Sequence, residues 1–390
     1  MRDQAVLPAV EARHLPHLGG RFNGNREPVR LNGTIQIVSE HWNRVAAVPY
    51  LAYMPEKDRL LMLVSGDYPH RALVLWSDDR GASWTEPMPA EKDSNDPAHH
   101  VAVGLTYLGG GKVVFSTEST HRYFSDDFGQ TWSDPVPKPP ITEGKLWNQW
   151  DPWLVDKDAK SGKIVRVWET GWNFPGETWR PDGGLGTIVA YWRSSVDEGK
   201  NWTPAIEVPE WFGVSEVALC RAANGHLIAA CRTAIPEAYN KSIPDVDHYA
   251  GLGVSISSDN GQTWSKINSL YAWGRHHPSL VLLPNGEIVM TYVVRKGCPN
   301  TADGFPQFGI DAVVSRDHGL TWDMGHRYRL AEWVGNRKGE HAWWASCQAT
   351  SSVLLPDGAI LTAFGTGYRS QPNGNNQPAP RDIGLIHWKR

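Results

Sequence analysis

Six short stretches of this chain carry side chains suited to proton transfer and ligand binding. They are His41-Trp42-Asn43-Arg44, Asp96-Pro97-Ala98-His99-His100, Trp147-Asn148-Gln149-Trp150-Asp151, Ser215-Glu216, Arg275-His276-His277 and Trp343-Trp344-Ala345-Ser346-Cys347-Gln348. Histidine changes charge near neutrality and can give or take a proton. Arginine offers a fixed fork of donors to a carboxylate, and tryptophan presents a flat face on which the C–H face of a sugar ring can stack. Alone, each stretch would read as a solvated loop. Each of the six, however, lies immediately before a strand-like run, and recurrence at one phase points to a shared, lined pocket.

The elements that must hold these stretches together repeat. Ser-x-Asp-x-Gly-x-x-Trp occurs five times, at Ser77–Trp84, Ser125–Trp132, Ser195–Trp202, Ser257–Trp264 and Ser315–Trp322. Glycine supplies a left-handed residue, Ser and Asp bond their own turn backbone, and Trp covers the turn. The copies stand 48 to 70 residues apart, the size of a propeller blade rather than of a solenoid rung. Ahead of the turns lie paired β-branched runs: 46–53 with 60–64, 100–107 with 112–116, 152–155 with 163–168, 216–220 with 226–231, and 278–283 with 287–293. A sixth pair, 349–355 with 359–365, has no such turn after it; residues 383–388 read as its third strand and residues 33–38 as its fourth, pairing the two ends of the chain. The expectation is an all-β, single-domain propeller over residues 1–390 with six blades and this closure. Residues 1–32 and 169–190 are unassigned and leave seven blades as an alternative.

Composition narrows the class. The net charge of −4 provides no basic footprint for nucleic acid, and the longest apolar runs are of strand length, far below the roughly 20 residues that cross a bilayer. Neither nucleic acid nor membrane is an expected partner, and a monomer is expected. Cys220, Cys231, Cys298 and Cys347 form no CxxC pair; Cys220 and Cys231 flank the Asn224-Gly225 turn, so a disulfide and two buried thiols both stay open. The first residues lack an apolar signal core, while three Asn-x-Ser/Thr sequons and 20 Trp suit a secreted, glycan-facing protein. An extracellular location, with a signal already removed, is the expectation.

The repeated turn resembles the Asp-box of the sialidase-like β-propellers, from Ser77 to Trp322. Sialidases bind their substrate carboxylate with three Arg and use a Tyr–Glu nucleophile pair and an Asp acid; their first Arg directly precedes an Ile-Pro or Val-Pro dipeptide. Here Ala47 stands before Val48-Pro49, so that ligand is missing, although Glu216 opens a blade and Arg232 closes the same hairpin. The chain also resembles propeller polysaccharide lyases acting on ulvan and on rhamnose–glucuronate linkages. That resemblance implies His100 and His121 as the two histidines of one blade, with Arg180 and Arg232 from the next two.

β-Elimination from a uronic acid needs the carboxylate charge neutralised, the α proton removed and the leaving oxygen protonated. The lyase resemblance gives Arg232 and Arg180 the first task, His100 and His121 the proton transfers, and Tyr249 a further acid or base role. Asn148, Trp150, Glu216, Arg275, His277 and His41 would line the pocket. The expected partner is an acidic polysaccharide or oligosaccharide, and the expected reaction is cleavage of a rhamnosyl-glucuronate linkage. The alternatives are an exo-sialidase, an α-L-rhamnosidase using His41, and a glycan-binding propeller without chemistry. No cofactor is expected. His99-His100 and His276-His277 are adjacent and in a regular strand point to opposite faces, so neither pair can chelate one ion, which leaves a structural ion contributed by several blades open.

Overall fold

The computed structural model describes residues 20–22, 28–30, 33–42, 44–66, 71–91, 101–118, 120–141, 147–173, 188–233, 250–272, 274–296, 307–334, 349–368 and 381–390. Three short strands come first, β1 (Gly20–Phe22), β2 (Pro28–Arg30) and β3 (Gly33–Ile37). Blade 1 is β4 (Ala46–Met54), β5 (Arg59–Gly66), β6 (Arg71–Ser77) and β7 (Met88–Pro89). Blade 2 is β8 (Ala102–Gly109), β9 (Lys112–Thr117), β10 (His121–Ser125) and β11 (Val136–Pro137). Blade 3 is β12 (Leu154–Lys157), β13 (Ile164–Asn173), β14 (Val189–Ser195) and β15 (Ile206–Glu207). Blade 4 is β16 (Ser215–Arg221), β17 (Leu227–Thr233), β18 (Gly251–Ser257) and β19 (Asn268–Tyr271). Blade 5 is β20 (Arg275–Leu282), β21 (Ile288–Lys296), β22 (Gln307–Ser315) and β23 (Tyr328–Val334), and blade 6 is β24 (Thr350–Leu354), β25 (Ile360–Tyr368) and β26 (Arg381–Trp388).

Each blade is an antiparallel meander with its first strand innermost. The ring closes as the sequence predicts: β3 pairs with β26 from Gly33↔Trp388 to Ile37↔Gly384 and becomes the fourth strand of blade 6. Among the described residues no seventh blade forms. Instead β1 and β2 make a hairpin that adds to β23, so blade 5 has six strands in the order β2-β1-β23-β22-β21-β20.

In blade 1 the two strands nearest the axis are buried on both faces, because the blade is sandwiched between blades 2 and 6. All eight residues of β5 are buried, as are eight of the nine in β4. This explains their continuous apolar sequences, which alternate far less than a half-exposed strand would.

At the end of each third strand the repeated turn has one chemistry five times over. The Ser Oγ donates to Asp Oδ1 at 2.7–2.8 Å and accepts the Gly amide at 2.7–2.9 Å. The turn takes two left-handed residues in a row, since the residue before each Gly (Arg80, Phe128, Glu198, Asn260 and His318) also has a φ of 58–63°. Trp132, Trp264 and Trp322 are buried, whereas Trp84 and Trp202 are half-buried, short of the full burial that the repeat suggests.

Blades are joined near the axis by hydroxyl groups. Ser65 Oγ accepts the Ala102 amide at 2.8 Å, Thr106 Oγ1 the Trp153 amide at 2.8 Å, Ser279 Oγ the Ser352 amide at 3.0 Å and Ser351 Oγ the Leu51 amide at 3.0 Å. Thr170 Oγ1 donates to the Val217 carbonyl at 2.7 Å. These bonds span the seams 1/2, 2/3, 5/6, 6/1 and 3/4; seam 4/5 is bridged by the ionic contact described next.

Candidate active site

The first strands of four blades break register near their start, and the residue in the break is left-handed: Val48 (φ 52°), Gly104 (φ 67°), Glu216 (φ 48°) and His277 (φ 51°). A valine in that region is strained. Such strain persists only where the surroundings enforce it, and it gathers at functional sites. The bulge pushes Glu216 of β16 and His277 of β20 towards each other across seam 4/5.

The result is a buried charged cluster. Glu216 Oε1 accepts a hydrogen bond from Arg232 Nη1 at 2.8 Å, and Glu216 Oε2 lies 3.3 Å from His277 Nδ1 and 3.5 Å from His276 Nδ1. Burial alone would raise the Glu216 carboxyl, but Arg232 and then the two imidazoles outweigh it and hold the group well below the usual carboxylate range. His276 is pushed down to about 3, first by burial and then by Arg295, so it meets Glu216 as a neutral ring. Trp150 packs its ring edge-on to His277 at 5.7 Å and donates Nε1 to Glu118 Oε1 at 3.0 Å.

Below this cluster stand Tyr50 and Asp151. The Tyr50 ring lies 6.4 Å from His277. Burial, then Asp151, Glu216 and Glu118, raise its hydroxyl well above the ordinary value. Asp151 is 4% exposed, and burial and then Glu216 push its carboxyl well above the usual carboxylate range. Two carboxyl groups on neighbouring blades are thus shifted in opposite directions, the pattern by which one site can hold both an acid and an anionic partner.

Of the residues expected from sequence, Glu216, Arg232, His277 and Trp150 meet in this cluster. Arg275 does not: it is buried with its guanidinium over the Tyr271 ring, 5.0 Å away, between blades 4 and 5. Asn148 serves the backbone, exchanging both amide hydrogen bonds with Trp172 at 2.9 and 3.0 Å. His41 is exposed in the turn after β3. His121 does not close the hairpin, because β9 ends at Thr117; it opens β10, the third strand out from the axis, opposite Pro137 and bonded through its amide to Thr117 Oγ1. His100, Arg180 and Tyr249 lie outside the described residues. Cys220 and Cys231 are free buried thiols, since they are not opposite one another: Cys231 pairs with Val217 and Cys220 with Ile228. No three His, Cys, Asp or Glu side chains among the described residues converge as metal ligands, and no described helix is long and apolar enough to cross a membrane.

Sequence reasoning missed Tyr50 as a site residue and placed Asp151 and His276 only among the rim side chains. One signal was available, the proline near the start of three first strands, at Val48-Pro49, Asp151-Pro152 and His277-Pro278. Proline has no amide to give a ladder and in sheets marks such breaks.

Comparison with known proteins agrees with this architecture. The BNR/Asp-box repeat model matches residues 123–134, one of the five turns. No curated protein matches the sequence significantly. The chain is similar to a solved protein of unknown function from Dyadobacter fermentans, with 15% identity, TM-score 0.59, and coverage of 91% of this chain and 98% of that one. The intramolecular trans-sialidase of Ruminococcus gnavus gives 12%, 0.57, 90% and 96%, and the GH93 α-L-arabinofuranosidase of Fusarium graminearum 12%, 0.55, 90% and 96%. At these identities the likeness is one of fold: an all-β, six-bladed propeller of the sialidase-like kind.

Proposed function

We propose that this protein is a carbohydrate-active enzyme that hydrolyses a glycosidic bond, with Asp151 as the acid and Glu216 as the anion facing it. The observation that carries the reading is the placing of two buried carboxyl groups from neighbouring blades at one end of the propeller axis in opposite surroundings: Glu216 is paired with Arg232 at 2.8 Å, while Asp151 Oδ2 has no partner and burial pushes its carboxyl up. Glycoside cleavage passes through an oxocarbenium-like state, in which a neutral acid protonates the leaving oxygen and a carboxylate stabilises the positive ring. Arg232, whose side chain is 21% exposed against 7% for Glu216, is the cluster's reach towards solvent and suits an acidic sugar. Trp150 supplies a stacking face. The resemblance of the fold to a trans-sialidase and an arabinofuranosidase supports glycan chemistry in general.

β-Elimination of a rhamnosyl-glucuronate linkage is the second reading, favoured by an Arg beside imidazoles at this end of the propeller, with His100, His121, Arg180 and Tyr249 in the roles given above. One assay separates the two. The protein is incubated with ulvan, gum arabic, a sialoside and an arabinan while ultraviolet absorbance and reducing ends are followed. Hydrolysis predicts reducing ends without new absorbance; elimination produces an unsaturated uronate that absorbs. His121→Ala sharpens the choice, because elimination through His121 would lose about 10²–10⁴ in turnover, while hydrolysis at Asp151 and Glu216 would be nearly unaffected.

A further inference from the structure

A cavity of about 270 Å³ runs along the propeller axis directly beneath the cluster. Every blade contributes its first strand to the wall: Tyr50, Thr106, Leu154, Ala218, Ser279 and Ser351 mark the six. Its upper end is closed by Tyr50 and Asp151, which are 1% and 4% exposed. Further along the strands Tyr107, Leu154, Leu219 and Leu280 line it, and each is partly exposed, so the cavity communicates with solvent on the face that carries the Asp-box turns. Two buried polar atoms at the closed end, Tyr50 OH and Asp151 Oδ2, have no hydrogen-bond partner in the protein. A void of this size, of mixed lining and with unpartnered polar atoms at its closed end, has room and partners for ordered water.

We propose that the axial cavity is a water conduit through which Asp151 exchanges its proton with solvent on the face opposite the glycan site. The inference rests on the acid role given to Asp151 above. In each turnover Asp151 O–H passes its proton to the leaving oxygen and becomes a carboxylate, and the water that bonds to the ring carbon in place of that oxygen releases one proton to solvent on the upper face as product leaves; a cavity water returns a proton to Asp151, and the deficit passes down the column to bulk water, so that one proton leaves and one enters per bond cleaved. The hydroxyls of Ser279 and Ser351 accept backbone amides through their lone pairs, which leaves their protons to donate along the column, whereas Thr106 Oγ1 spends its proton on the Gly104 carbonyl at 3.2 Å. Substrate can thus seal the upper face without isolating the acid.

The test needs no substrate. Infrared difference spectroscopy against Asp151→Asn assigns the carbonyl band of the Asp151 acid, and its shift after transfer to D₂O times the exchange. Ala218→Leu places a larger apolar group in the column from β16, and Leu219→Trp narrows the lower mouth at a partly exposed site, so at least one of the two is expected to fold. Exchange should slow severalfold in either folded variant, and kcat on the substrate found above should fall with KM unchanged. Exchange as fast as wild type in a variant whose crystal structure shows the cavity filled would overturn the conduit, as would a high-resolution structure with a dry cavity. If exchange slows but Asp151→Asn retains full turnover, the conduit stands and the acid role falls.

Discussion

Glu216 does two things at once: it is the anion of the proposed chemistry and the joint between blades 4 and 5. Replacing it by Ala leaves Arg232 and two imidazoles facing a buried gap, which should cost about 3–5 kcal/mol of stability; Glu216→Gln keeps the shape and should cost less while losing most turnover, as thermal melts and kinetics on both variants will show. Arg232→Lys removes the planar fork and should raise KM for an acidic substrate far more than for a neutral one. The thiols offer a separate check. Burial pushes Cys220 up to about 12 and Cys231 higher still, so in native protein neither should take up iodoacetamide at neutral pH, whereas both should in urea, as peptide mapping by mass spectrometry will report. Glu216, Arg232, His277 and Trp150 were legible because charged and aromatic side chains at strand starts are conspicuous. Tyr50 was not, and Asp151 was visible only as a rim side chain without a role, because their meaning lies in desolvation, which a sequence does not display.

The Asp-box turn is also a device for packing one blade on the last. A Cβ at Gly261 would stand 2.2 Å from the ring of Trp192 in blade 3, and the residue sits at φ 82°. Gly261→Ala should therefore combine left-handed strain with overpacking and lose about 2–4 kcal/mol in chemical denaturation. Trp132, edge-on to Phe115 at 4.8 Å, is buried in the core between blades 1 and 2. Trp132→Ala should cost about 3–5 kcal/mol and leave substrate affinity of the folded fraction unchanged, since its turn lies at the end of the blade away from Glu216. The turns could be read directly because their chemistry is local and identical in each copy. His121 was misplaced because it follows β9 so closely: four residues after Thr117 the chain has already reversed into a third strand, and residue type alone does not mark the reversal.

At the scale of the whole ring, acid should act on the turns together. Asp197 is held down to about 2 by the Asn201 amide first, and Asp259 to about 2 by the Thr263 hydroxyl first, against 3.8 unperturbed. A carboxyl whose folded pKa lies below its unfolded one stabilises above the unfolded value, and that stabilisation is lost as pH falls through the folded value. Melting temperature should therefore drop between about pH 4 and pH 2, and an Asp197→Asn/Asp259→Asn double variant should show a shallower drop from a lower plateau. The blade count was readable from the hairpins, and closure from the missing sixth turn. The β1–β2 hairpin on blade 5 was not, because its partner β23 lies some 300 positions away, near Tyr328 and Arg329, and three-residue strands carry too little pattern to announce pairing.

Closure of the ring depends on groups made at opposite ends of synthesis. Ser39 Oγ donates to Asp382 Oδ1 at 2.7 Å across 343 positions, and β3 finds its partner only in β26. At about 5–20 residues per second a ribosome needs roughly 17–70 s to pass from one to the other, and for that time β3 is an unpaired edge waiting beside five growing blades. The nascent chain is thus exposed to strand exchange with a neighbour on the same messenger, and polysome-dense expression should yield more tail-swapped dimer than refolding of the finished chain at the same concentration.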